Sequence, residues 1–184
     1  MKFLRLYQIT IDVYSQKSTL LYENDVILAL LNNGEHLKSR YFGVTSPRIQ
    51  EKTGYTPQTI RKKLSSANVY IYSKNGTDKC LEQNKNTFIG KVIRRLEKLG
   101  LIKNQNWKLC MCNYWICDSD TAEKYRVFLN KLHASFYTDK LLNKYINSGT
   151  YPHRGKQYPY HPFIYEYFFG LFLAENKQLT IEYL

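Results

Sequence analysis

The sequence predicts an α+β protein that is mainly helical with small β hairpins: a helical core over residues 1–117, then a helical extension over 118–184 that dimerises or packs back on it. Three observations predict this. Apolar residues recur at helical spacing in segments separated by Gly or Ser/Thr-Pro signals, and two runs rich in β-formers border Asn-containing turns. After Cys117 the pattern changes to long aromatic helices. At 184 residues and 43% hydrophobic, the chain is large and apolar enough to fold around a sizeable core.

Phe3, Tyr7, Ile9, Ile11 and Val13 alternate with Gln8, Thr10 and Asp12, which predicts a half-buried strand over 3–14. Val26, Ile27, Leu30 and Leu31 follow at helical spacing until Asn33-Gly34 ends the run. Ser46-Pro47 and Thr56-Pro57 are helix-start signals, a hydroxyl cap with proline at the first helical position. The first opens a short helix that Gly54 closes, and the second opens one that runs through Ala67. Val69-Tyr70-Ile71-Tyr72 then reads as a strand turning at Asn75-Gly76 into a wing-like hairpin.

Asn86-Thr87 starts an amphipathic helix with Phe88, Ile89, Val92, Ile93, Leu96 and Leu99 on its apolar side, stopped by Gly100. Leu101-Ile102 and Trp107 to Cys117 read as a second hairpin around Asn104-Gln105-Asn106. Asp120-Thr121 caps a long helix that Asp139 interrupts, and residues 147–162 read as a loop rich in Gly, Pro, Tyr and His. Pro162 to Ala174 is aromatic on all sides apart from Glu166, and such a helix must bury itself against something.

Charge is concentrated rather than spread. Fifteen of the 27 basic residues but four of the 15 acidic ones lie between Lys38 and Lys103, so that stretch carries +11 of the formal +12. A basic stretch that reads as helices and their turns is the electrostatic footprint of a nucleic-acid reader. The N-terminus has no signal-peptide pattern, and no uncharged apolar run reaches the roughly 18–20 residues of a membrane span. A cytoplasmic, DNA-associated protein without a membrane partner is the expectation.

The segment Ile49 to Leu64 resembles the helix-turn-helix of the winged-helix superfamily of DNA-binding proteins. In that motif a left-handed glycine ends the first helix, a Ser, Thr or Asp caps the second, and aliphatic residues six and ten positions after the glycine anchor it; here these are Gly54, Thr56, Ile60 and Leu64. The chain departs from the pattern at Gln50, where a small residue is common. On a wheel of 100° per residue, Ile60, Leu64 and Ala67 point to the core and Gln58, Lys62 and Ser65 point away. The resemblance implies that Gln58 and Thr59 read bases, that Arg61 reads guanine or clamps phosphate, and that Lys62 and Lys63 sit on phosphates, with Lys74 at the hairpin tip as a backbone contact.

A second basic helix competes for this role. Residues 87–99 followed by Gly100-Leu101-Ile102 resemble a winged-helix recognition helix running into its wing, with Lys91, Arg94, Arg95 and Lys98 on or beside the exposed side. Either helix, or both, would enter the groove. About eight phosphate contacts would give a salt slope approaching −7 on logarithmic axes.

Other constellations point to chemistry less well. Cys110-Met111-Cys112, with Cys117 and Cys80, invites a zinc reading, but Cys110 and Cys112 have one intervening residue on a strand where structural zinc sites favour two to four in a tight turn, and the thiols read as buried small hydrophobes. His153 and His161, near Tyr158 and Tyr160, lack the His-hydrophobic-His motif of metal-dependent tyrosine nucleases. No phosphate-binding Gly-rich loop, His-Glu-x-x-His or Gly-x-Ser-x-Gly motif is present. The expectation is therefore a sequence-specific binder of double-stranded DNA without catalysis, metal or cofactor, acting as a homodimeric transcriptional regulator on a palindromic site. A replication initiator or partition protein binding origin repeats is the alternative, and a nicking nuclease a third.

Overall fold

The computed structural model describes residues 2–8, 23–45, 49–72, 78–80, 87–103, 106–108, 110, 114–147, 150–153 and 156–184. In chain order the strands are β1 (Lys2–Gln8), β2 (Ser39–Thr45), β3 (Val69–Ile71), β4 (Asp78–Cys80), β5 (Asn106–Lys108), β6 (Trp115–Asp118), β7 (Thr150–His153), β8 (Lys156–Pro159) and β9 (Ile181–Tyr183). The helices are α1 (Glu23–Asn32), α2 (Ile49–Thr53), α3 (Pro57–Lys63), α4 (Phe88–Lys98), α5 (Ser119–Thr138), α6 (Lys140–Asn147), α7 (His161–Tyr165) and α8 (Phe168–Glu175), with a 3₁₀ turn at Glu35–Lys38 after α1. This is an α+β fold.

Its centre is a five-stranded mixed sheet in the order β1-β2-β6-β3-β9, a larger β component than small hairpins. β6 is antiparallel to both β2 and β3, whereas β1 runs parallel to β2 and β9 parallel to β3. β2 escaped the sequence reading because it is an inner strand whose residues, apart from Arg40, are all buried, which erases the polar alternation that marks a half-exposed strand.

Each face of the sheet carries its own core, as the period of two requires. On one face Tyr41, Tyr70 and Ile116 pack with Ile49, Ile60, Leu64 and Ala67 from the α2–α3 segment. On the other, Phe42, Val44, Val69, Ile71, Trp115 and Cys117 meet α1, α4, α5 and α8 in a much larger cluster. Trp115 is its hub, stacked on Phe169 at 4.1 Å and edge-on to Tyr125 at 5.5 Å.

The aromatic C-terminal segment is two short helices rather than one, and Phe168, Phe169, Leu171, Phe172 and Leu173 are buried within this same chain. Residues 1–117 and 118–184 consequently share one core, and the extension packs back on it. The expected hairpins are differently paired. β3 joins β6 and β9 instead of β4, while β4 joins β5 across the whole of α4. The expected turn at Asn75-Gly76, the Ser46-Pro47 cap and residues 9–14 of the first strand lie outside the described residues. Within the expected loop, β7 and β8 pair antiparallel. Asp118, not Asp120, caps α5, its Oδ1 accepting from the Thr121 N–H at 2.7 Å.

Candidate nucleic-acid interface

The α2–α3 segment is held by local bonds that its sequence dictates. Thr53 Oγ1 donates to the Ile49 carbonyl and accepts from the Tyr55 N–H, and the Gly54 N–H closes α2 on the Gln50 carbonyl at 2.8 Å. Gly54 has φ +78, and a Cβ built there would meet nothing within 4 Å, so backbone conformation alone selects glycine. Thr56 accepts from the Thr59 N–H at 3.2 Å while Thr59 Oγ1 accepts from the Thr56 N–H at 2.8 Å, a reciprocal capping box with Thr in the place of the usual Glu. Pro57 occupies the first turn, where no N–H is needed.

α3 stops at Lys63, earlier than the expected Ala67, because the chain after it has other partners. Ser65 and Ala67 donate their N–H groups to the Tyr70 hydroxyl at 2.6 and 3.2 Å, and the Tyr41 hydroxyl donates to the Ser65 carbonyl at 3.0 Å. Burial, followed by the Tyr70 contact, pushes the Tyr41 hydroxyl up to about 12, so it stays a donor at neutral pH. The two rings meet edge-on at 5.8 Å. These tyrosines fasten the end of α3 to the sheet, a role the sequence did not reveal because they sit 24 and 5 residues from Ser65.

Ile60 and Leu64 are buried beneath the helix as the wheel expects. Gln58, Arg61, Lys62 and Lys63 are exposed, and Lys63 Nζ lies over the Tyr55 ring, 5.2 Å from its centroid. Thr59 is also on the surface, but its hydroxyl is engaged in the cap. Gln50 is exposed and does not come between the helices. Lys74 lies outside the described residues.

The chain matches no protein-family model, no curated protein and no solved structure.

The second basic helix is elsewhere. α4 buries Ile89, Val92, Ile93 and Leu96 in the core on the opposite side of the sheet from α3, so the two do not form one rigid pair. Thr87 caps it by accepting from the Gly90 N–H, and Gly100 ends it with φ +65. Lys91 and Lys98 are exposed and Arg94 is half-buried. Arg95 is taken up by structure: its Nε donates to Asp139 Oδ1 at 3.1 Å, and a terminal nitrogen donates to Oδ2. That guanidinium, with the Leu142 N–H, holds the Asp139 carboxyl down at about 2. The β5 strand that follows α4 pairs with the strand preceding it, so α4 does not run into a hairpin of its own.

Among the described residues no cluster of three His, Cys, Asp or Glu side chains is placed to hold a metal, and Cys110 and Cys117 are buried thiols. No helix among them is long and apolar enough to cross a membrane.

Proposed function

We propose that this protein is a sequence-specific binder of double-stranded DNA, using α3 as the recognition helix of a winged helix-turn-helix and acting as a transcriptional regulator. The observation that carries this reading is the rigidly capped α3, whose buried side is anchored by Ile60 and Leu64 and whose outer side presents Gln58, Arg61, Lys62 and Lys63 to solvent. A helix fixed at both ends loses little freedom when it enters a groove, and its side chains are of the types that read bases and neutralise phosphate. β3 follows α3 and pairs antiparallel with β6, and on this reading that pair would stand in the place of a wing, with β4, α4 and β5 in the segment between its strands. Gln58 would read base edges, Arg61 would clamp phosphate or read guanine, and Lys62 and Lys63 would sit on phosphates.

Selection of bound duplexes from a random library, followed by gel shifts, tests the reading. Lys62→Ala should weaken binding to all duplexes and lower the salt slope by about one, and Gln58→Ala should relax base preference by roughly 1–3 kcal/mol. Failure to retard any duplex at low ionic strength would overturn it, and a change of base preference on Arg94→Ala alone would move the reader to α4.

A further inference from the structure

The first turn of α4 opens onto a cleft of about 290 Å³ whose lining includes Thr87, Phe88, Ile89, Tyr160, Phe163 and Tyr167. Four of these are aromatic, and Phe88 and Tyr160 are stacked, their centroids 3.8 Å apart and their planes 12° from parallel. The cleft is at the small end of the roughly 300–1,000 Å³ range of ligand sites, suited to one flat ring system. A planar group entering here would extend an existing stack.

The exposed side of the same helix continues from that cleft as a basic stripe. At 100° per residue, Thr87, Lys91, Arg94 and Lys98 fall within about 60° of one another, opposite the buried Ile89, Val92, Ile93 and Leu96. Lys91 lies one turn from Thr87, and Lys98 about 10 Å further along. None of Lys91, Arg94 and Lys98 has an ion-pair partner among the described residues, in contrast to the neighbouring Arg95. Glu97 is the one acid on the helix, and it lies off the stripe.

An aromatic slot for a base joined to a row of cations is the pairing of features that binds unpaired strands: the rings stack a base and the cations follow the phosphates. A duplex would supply the phosphates but no free base for the slot. We propose that α4 and the Phe88–Tyr160 cleft form a second nucleic-acid site, selective for a single strand over a duplex and separate from α3, with one base held in the cleft and phosphates on Lys91, Arg94 and Lys98.

The test is fluorescence anisotropy with a labelled twelve-residue oligothymidylate, the same sequence as RNA, and a duplex of equal length. The DNA strand should bind with a salt slope of about −2, three contacts at roughly −0.7 each. The surface variant Lys91→Gln/Arg94→Gln/Lys98→Gln leaves the core untouched and should weaken that binding at least tenfold while duplex affinity holds. Tyr160→Leu, checked for native circular dichroism, should weaken it at least fivefold; if that variant fails to fold, quenching of a 2-aminopurine base in the strand by the wild-type protein supplies the stacking readout. Lys62→Ala should leave strand binding unchanged, which separates this site from the duplex reading. No binding of either single strand at low salt, or binding lost only with α3 variants, would each overturn the proposal.

Discussion

Single residues in this chain are chosen for bonds that few other side chains could make. At Gly54 the left-handed backbone is the whole requirement, since the space beside it is empty. Gly54→Ala should therefore cost about 1 kcal/mol, lowering the melting temperature by roughly 2–4 °C for a chain of this size, and Gly54→Asn should cost less. At Asp139 one carboxylate does two things: Oδ1 caps α6 through the Leu141 and Leu142 N–H groups, and both oxygens hold Arg95. Asp139→Ala should cost about 1 kcal/mol through the cap and also remove the ion pair with Arg95, whereas Asp139→Asn keeps the capping oxygen and removes only the charge. Glu123 is likewise held down at about 2, by the Arg126 guanidinium first and then by His36. Both carboxyls are lowered by folding, so their stabilisation is complete above the ordinary carboxylate range near 4 and drains as pH falls through about 2. Urea titrations between pH 5 and 2 should show stability falling, with a shallower acid limb in Asp139→Asn.

At the scale of elements, what was legible follows from where each element's partners lie. α1, the α2–Gly54–α3 turn and α4 announce themselves through caps, left-handed glycines and apolar stripes, all within a few residues of one another. Ile60 and Leu64 under α3 were readable for the same reason. The end of α3 was not, because Tyr41 and Tyr70 that bond Ser65 and Ala67 come from two different strands. Tyr70→Phe should leave two N–H groups without an acceptor, at about 1–3 kcal/mol, and speed amide exchange at Ser65 and Ala67 more than in α1. β2 and β9 were missed because one is buried on both faces and the other is three residues long. The strand pairings were missed because β6 lies over 40 residues from β3, beyond the reach of any turn signal. Of the candidate site, the exposed face of α3 was visible in sequence, but the loss of Thr59 to its cap and of Arg95 to Asp139 depends on bonds that charge and spacing do not encode.

For the whole molecule, the sheet decides what its charge can do. In the sequence the basic residues of 38–103 form one block, and a single surface built from them would make about eight phosphate contacts. Folding divides that block: α3 caps one face of the sheet and α4 the other, with Arg95 withdrawn into an ion pair. A duplex docked on α3 then meets Arg61, Lys62 and Lys63 as its helix-borne cations, and three contacts at about −0.9 each give a slope near −3 per protein molecule instead of one approaching −7. Gel-shift affinities measured from 50 to 200 mM salt discriminate between the two values directly. The expected loss over that range is about 40-fold, the fourfold rise in salt taken to a power slightly below three. A measured slope near −7 would mean that duplex reaches both faces of the sheet at once, and removing the charges of Lys91, Arg94 and Lys98 would then flatten it. With the slope near −3, the same variant should leave duplex binding as it was, because the strands and the aromatic core of α5 and α8 stand between that helix and the DNA.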